Sequence, residues 1–279
     1  MEHKVGLVLG GGGARGLAHI GVLRIFERER IPIDCIAGTS IGGLVGALYA
    51  AGIPVEELEQ EVAKLGRFSE QLRLVDVSIS TAGLSVRGRR IYNYMADLLG
   101  DTLTFVDLQI PVAMVAVDLK TGRDVILQGG LVIDAVRASI SIPGIFMPVE
   151  LADYRLVDGG VLNNVPVNVA LDLGATKTIA VDVLPTFSPE IQVDPEEILP
   201  LQIPFAPLYL NETYHVLMIM IAAITAHRLS QTPPDLLIRP VLPTNVSLLA
   251  GFHHSGEIIA AGEAAAEAAL PAIRELLDL

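Results

Sequence analysis

The chain has 279 residues, 51% of them hydrophobic, and a formal net charge of -13. It is long and apolar enough for a large buried core, and too acidic to suit nucleic acid or strong electrostatic attachment to anionic lipid. One cysteine excludes a disulfide scaffold and suits a reducing compartment, and Met1-Glu2-His3-Lys4 enters an apolar run without the pattern of a signal peptide, so the expectation is cytoplasmic residence with at most peripheral membrane contact.

Lys4-Val5-Gly6-Leu7-Val8-Leu9 reads as a buried parallel strand, followed by the glycine loop Gly10 to Gly16 and an amphipathic helix over Leu17 to Arg30. Gly11, Gly13 and Gly16 spell G-x-G-x-x-G, a dinucleotide fingerprint. That reading weakens at the next strand, which ends in Gly38-Thr39-Ser40 where an acidic ribose ligand belongs; Asp34 stands at the wrong end. A Walker loop fails too, because Leu17-Ala18 follows Gly16 in place of Lys and Ser or Thr. What remains is a run of bare backbone amides before a helix, able to approach an anion closely.

The next strand, Ile33 to Ala37, runs into Gly38-Thr39-Ser40-Ile41-Gly42 and then the small-residue helix from Leu44 to Ala51. Strand, G-x-S-x-G turn and helix form a nucleophile elbow: glycines two residues either side of Ser40 let the chain turn tightly and leave its Oγ proud of the sheet. Helix N–H groups beneath it favour developing negative charge. Cys35 to Val55 carries no charge and is long enough for a membrane span, but Gly38, Gly42, Gly43, Gly46 and Gly52-Ile53-Pro54 argue against one continuous helix. Cys35 itself reads as packing.

Arg87, Arg89 and Arg90 form a basic cluster, read as a solvated surface with a lipid headgroup as the competing use. Strands are expected over Pro111 to Val117 and Asp124 to Leu127, with Asp118 as a turn residue between them. Arg155-Leu156-Val157 is a short strand that delivers Asp158 into the turn Gly159-Gly160, flanked by Arg137-Ala138-Ser139-Ile140-Ser141-Ile142-Pro143-Gly144 and by Val161-Leu162-Asn163-Asn164-Val165-Pro166. Alone, Asp-Gly is an ordinary turn signal.

Taken together, the glycine loop, the elbow and the Asp-Gly-Gly turn resemble the patatin-like phospholipase family over about Val5 to Val183, with a looser echo at Asp235 to Pro240 and the last helix. The resemblance implies a serine acyl-hydrolase acting on carboxylic esters of lipids, with Ser40 as nucleophile and Asp158 as general base. It places Gly11, Gly12, Gly13 and Arg15 on the oxyanion-hole and substrate-binding segment, with Gly38, Gly42, Gly159 and Gly160 supporting the motifs. No cofactor is implied. The alternatives are a lipid-binding or regulatory module with little turnover, and a nucleotide-binding protein using the glycine loop. A third arrangement, a triad of Ser40, Asp182 and His227, His253 or His254, follows alpha/beta-hydrolase order, but no histidine has a distinctive setting.

After the strand Thr178 to Val183, Pro185 to Pro207 is proline-rich and acidic, and reads as an extended excursion. Leu208 to Ala226 follows, with Val216 to Ile224 nearly unbroken in its apolar character. A buried core helix is the preferred reading, with an acyl-chain wall or a subunit contact, hence a homo-oligomer, as the other uses. Leu236 to Arg239 returns as a strand, and Gly256 to Leu277 closes the chain as an alanine-rich helix in which Gly262 marks close approach of another backbone. The whole reads as one patatin-like domain over 1–279: core motifs in 5–183, the excursion in 186–226, the closing strand and helix in 235–279. Its fold class is a three-layer α/β/α sandwich on a mainly parallel sheet. Metal binding is not expected: the chain lacks a paired-histidine motif and an acidic calcium loop.

Overall fold

The computed structural model describes residues 3–65, 76–80, 83–185, 210–243, 246 and 251–279. Proline-rich residues 186–209, expected as an extended excursion, lie outside them. Strands β1 (Val5–Leu9), β2 (Cys35–Thr39) and β5 (Val112–Asp118) are buried along their whole length. That explains their unbroken apolar sequence: both faces are covered, so no polar alternation is needed.

With β9 (Lys177–Val181) and β10 (Leu236–Ile238) these strands run parallel in the order β10-β9-β1-β2-β5. Beyond β5 the sheet changes character. Strand β6 (Arg123–Leu127) pairs antiparallel with β5, and so does β8 (Tyr154–Asp158), which carries β7 (Val149–Leu151) on its far side. The described sheet is thus mixed: its parallel part runs from the β10 edge to β5, and the antiparallel strands attach to β5. A separate hairpin, β3 (Val77–Ser80) and β4 (Gly83–Val86), completes the strands.

Alternate residues of each central strand enter different cores. Val5, Leu7, Leu9, Met114 and Ala116 face the larger one, together with α1 (Ala18–Glu29), α2 (Ile41–Ala50), α3 (Val55–Leu65), α4 (Arg89–Leu99), α5 (Val132–Ser139) and α8 (Ser255–Leu277). Val8, Cys35, Ala37, Ala113 and Val115 face a smaller one under the short helix α6 (Val167–Asp172). This is the expected three-layer sandwich, asymmetric in thickness. Cys35 is packed there as a small apolar side chain.

Helices α1 and α8 cross at two glycines. A Cβ on Gly262 would lie 2.0 Å from the Ala18 carbonyl oxygen, and one on Gly21 would lie 2.0 Å from that of Ile259. The backbone approach expected at Gly262 is present. Helix α7 (Leu210–Gln231) departs from expectation: Met218 is buried, but Val216, Ile219 and Met220 are 53%, 43% and 54% exposed. Its apolar surface runs all round while only one side packs, so it is not a core helix. Among the described residues, no helix is long and apolar enough to cross a membrane.

Candidate active site

Ser40 follows β2 directly and starts α2, the strand-to-helix turn expected of the elbow. Its backbone has φ 54° and ψ -126°, a conformation that a non-glycine residue adopts only under restraint. The neighbouring glycines have no space for side chains. A Cβ on Gly38 would lie 2.6 Å from the Gly43 backbone, and one on Gly42 would lie 2.1 Å from the Leu9 carbonyl oxygen.

Sheet register brings Asp158 to the same level. Thr39 pairs with Val115, so Ser40 falls level with Ala116, and Ala116 pairs with Asp158 on that same edge of β5, the opposite edge being taken by β6. The Ser40 hydroxyl donates to Asp158 Oδ2 at 2.5 Å, and the Gly160 amide donates to Oδ1 at 2.7 Å. Both side chains belong to residues only 6% exposed. Burial raises the Asp158 pKa from an ordinary carboxyl value to about 6, against the opposing pull of those two hydrogen bonds. The carboxylate is therefore a stronger base than a solvated aspartate, while still ionised at neutral pH.

A cavity of about 30 Å³ lies over this pair, lined by Gly11, Gly12, Asn164, Ile142, Pro143 and, from α7, Leu217, Met218 and Ile221. The apolar segment thus contributes a wall next to Ser40. Gly13 and Arg15, grouped with Gly11 and Gly12 in the sequence, do not line it. The Arg15 guanidinium instead donates from Nε to the Val183 carbonyl at 2.7 Å and from Nη1 to that of Val246 at 3.2 Å, and burial lowers its pKa to about 10. Its observed contacts anchor the loop to the end of β9. Gly159 and Gly160 are required sterically: a Cβ on Gly159 would lie 2.3 Å from the Val115 carbonyl, and one on Gly160 2.8 Å from Asn164 Oδ1.

The geometry does not assemble the triad alternative. Asp182 is held by Arg239 at 3.1 Å and by the Leu184 amide at 3.1 Å, and none of the six histidines lines the cavity. His19 is fully buried beneath the loop, with Nε2 2.7 Å from the Gly10 carbonyl oxygen and its pKa lowered to about 4 by desolvation. That carbonyl accepts, so Nε2 carries the proton. Asp118 caps its turn by accepting from the amides of Lys120, Thr121 and Arg155. Among the described residues, no group of three or more His, Cys, Asp or Glu side chains is placed to hold a metal.

Several residues that organise the site were not singled out by sequence. Ser139 accepts from the Ser40 amide. Buried Arg137 donates to Ser141 Oγ at 2.6 Å and to the Arg87 carbonyl at 2.7 Å, and lies over the Phe146 ring. It thereby fixes the stretch carrying Ile142 and Pro143, whose Ser141 carbonyl takes the Asp158 amide at 2.9 Å. The available signal was polar residues set inside apolar runs, Ser139 and Ser141 in one and Asn163-Asn164 in the other.

The family model for patatin-like phospholipase matches residues 7–171, more than half of the chain. An uncharacterised NTE-family protein of Mycobacterium tuberculosis is 40% identical over 178 residues, which cover 64% of this chain and 48% of that protein. Neuropathy target esterase of Drosophila melanogaster is 36% identical over 187 residues, 65% of this chain and 13% of its own length. The match therefore spans about half of the mycobacterial relative and a small part of the fly esterase. Among solved structures, VipD from Legionella pneumophila superposes with a TM-score of 0.54 at 13% identity, over 98% of this chain and 67% of that one, a likeness of fold.

Proposed function

The chain belongs to the patatin-like phospholipase family, and from that premise we propose that it is a serine acyl-hydrolase cleaving carboxylic ester bonds of lipids, such as the acyl chains of phospholipids or lysophospholipids. The observation that carries the reading is the 2.5 Å hydrogen bond from Ser40 Oγ to Asp158, buried beneath the glycine loop. In the proposed reaction Oγ attacks the ester carbonyl carbon as Asp158 takes its proton. The carbonyl oxygen becomes an oxyanion held by loop amides. Collapse of this tetrahedral adduct expels the alcohol, which takes the proton from Asp158 and leaves an acyl-serine. Water then attacks the acyl carbon, giving a proton to Asp158; breakage of the acyl–Oγ bond returns that proton to Ser40 and frees the carboxylic acid.

The space over the pair is narrow, about 30 Å³, and Leu217, Met218 and Ile221 of α7 are the apolar side chains that an acyl chain would meet there. Hydrolysis of p-nitrophenyl esters of graded chain length tests the reading. Turnover by the wild type, lost in Ser40→Ala and in Asp158→Ala, is the expected result; turnover that survives Ser40→Ala rejects it.

A further inference from the structure

The glycine loop is held peptide by peptide. The Gly10 amide donates to the Val181 carbonyl at 3.0 Å, and the Gly10 carbonyl accepts from His19 Nε2 at 2.7 Å. The Gly11 amide donates to the Asn164 carbonyl at 3.1 Å, and the Gly11 carbonyl accepts from Asn164 Nδ2 at 3.1 Å. A carbonyl can only accept, so the Asn164 amide must present its nitrogen here. Both hydrogen-bonding groups of Gly10 and both of Gly11 are thereby committed.

The accounting changes at Gly12. Its residue is buried and lines the cavity with Ser40, yet among the described residues its amide has no acceptor. A buried unpaired N–H is uncommon and calls for a partner that arrives later. The orientation of this amide follows from its own peptide. No peptide bond in the chain is cis, and in a planar trans peptide the C=O and N–H point in opposite directions. Turning the Gly11 carbonyl toward Asn164 Nδ2 therefore turns the Gly12 N–H away from Asn164.

We propose that Asn164 is a positioning residue that presets the Gly12 N–H as an oxyanion donor before substrate binds. The absence of side chains permits the contact: a Cβ on Gly11 would lie 2.6 Å from Asn164 Oδ1, and one on Gly160 would lie 2.8 Å from the same atom. Asn164 thus sits between the loop and the Asp-Gly-Gly turn, whose Gly160 amide holds Asp158. One side chain registers the oxyanion donor against the general base. This inference rests on the ester-hydrolase reading of Ser40.

The test compares wild type with Asn164→Ala and the near-isosteric Asn164→Leu, two sizes so that a folding failure of one leaves the other informative. Turnover is expressed per Ser40 that a fluorophosphonate labels to completion, which removes inactive molecules from the count. The expected result is a fall in kcat of about 100-fold with KM within twofold. Affinity for an alkyl trifluoromethyl ketone, whose Ser40 adduct bears the oxyanion, falls in parallel, while affinity for the matching unreactive alkyl ether does not. A kcat per labelled site within threefold of wild type, or equal losses for ketone and ether, overturns the inference and leaves the hydrolase reading intact. A wild type that neither turns over nor labels overturns both.

Discussion

Ser139 Oγ accepts the backbone N–H of Ser40 at 2.9 Å and donates to the Val115 carbonyl at 2.7 Å. The positive-φ backbone of Ser40 is therefore tied, through one hydroxyl, to β5, the strand whose one edge carries both β2 and β8 and so brings Ser40 beside Asp158. Ser139→Ala leaves a buried amide and a buried carbonyl without partners. A loss of about 1–3 kcal/mol is expected from this, seen as a lower urea midpoint with unchanged slope, together with reduced kcat. Unchanged stability would show that the elbow holds itself.

The raised pKa of Asp158, about 6 from burial, sets a pH dependence. Only the ionised carboxylate can take the Ser40 proton, so kcat/KM is expected to rise with pH through about 6 and then level off. A profile flat from pH 5 to 8 contradicts this assignment of the base.

The same shift acts on stability. The folded carboxyl holds its proton more tightly than the unfolded one, whose value is 3.8. Folding therefore takes up a proton between pH 4 and 6, and stability falls as pH rises through that window. Asp158→Asn removes this cost. Its stability relative to wild type should improve from pH 4 to pH 7 by up to about 3 kcal/mol, a pH-dependent difference separable from any constant loss of hydrogen bonds. Equal pH profiles for both proteins would refute it.

Gly262 carries a test of the α1–α8 crossing. Alanine favours an exposed helix by about 1 kcal/mol over glycine, but here its Cβ would meet the Ala18 carbonyl at 2.0 Å. Gly262→Ala is expected to destabilise by about 1–3 kcal/mol in chemical denaturation. A stabilised variant would mean that the helices are not in backbone contact.

The cavity wall predicts selectivity. Ile221 and Leu217 line the space next to Ser40, so Ile221→Trp should suppress hydrolysis of long-chain esters while sparing p-nitrophenyl acetate. Proportional loss across all chain lengths would place the acyl path elsewhere.

What the sequence revealed divides along a physical line. Ser40, Asp158 and the glycine loop were legible because their geometry demands glycine at fixed offsets, and that demand is written locally. The central strands were legible because burial on both faces leaves continuous apolar runs. Asn164 and Ser139 were not, since each acts through a partner distant in sequence: 153 positions separate Asn164 from Gly11 and 99 separate Ser139 from Ser40. The antiparallel addition of β7 and β8 was equally hidden, because a three-residue strand such as Val149–Leu151 carries too little periodicity to register. Helix α7 misled in the opposite sense: apolar residues all round suggested burial, yet Val216 and Met220 face outward.

The central claim is that Ser40 is a nucleophile activated by Asp158, and covalent labelling tests it most directly. Wild-type protein incubated with an alkyl fluorophosphonate should gain one adduct by intact mass, mapped to the peptide containing Ser40, with none in Ser40→Ala and strongly slowed labelling in Asp158→Ala. An unlabelled wild type, a label on another residue, or a rate unchanged by Asp158→Ala would contradict the account.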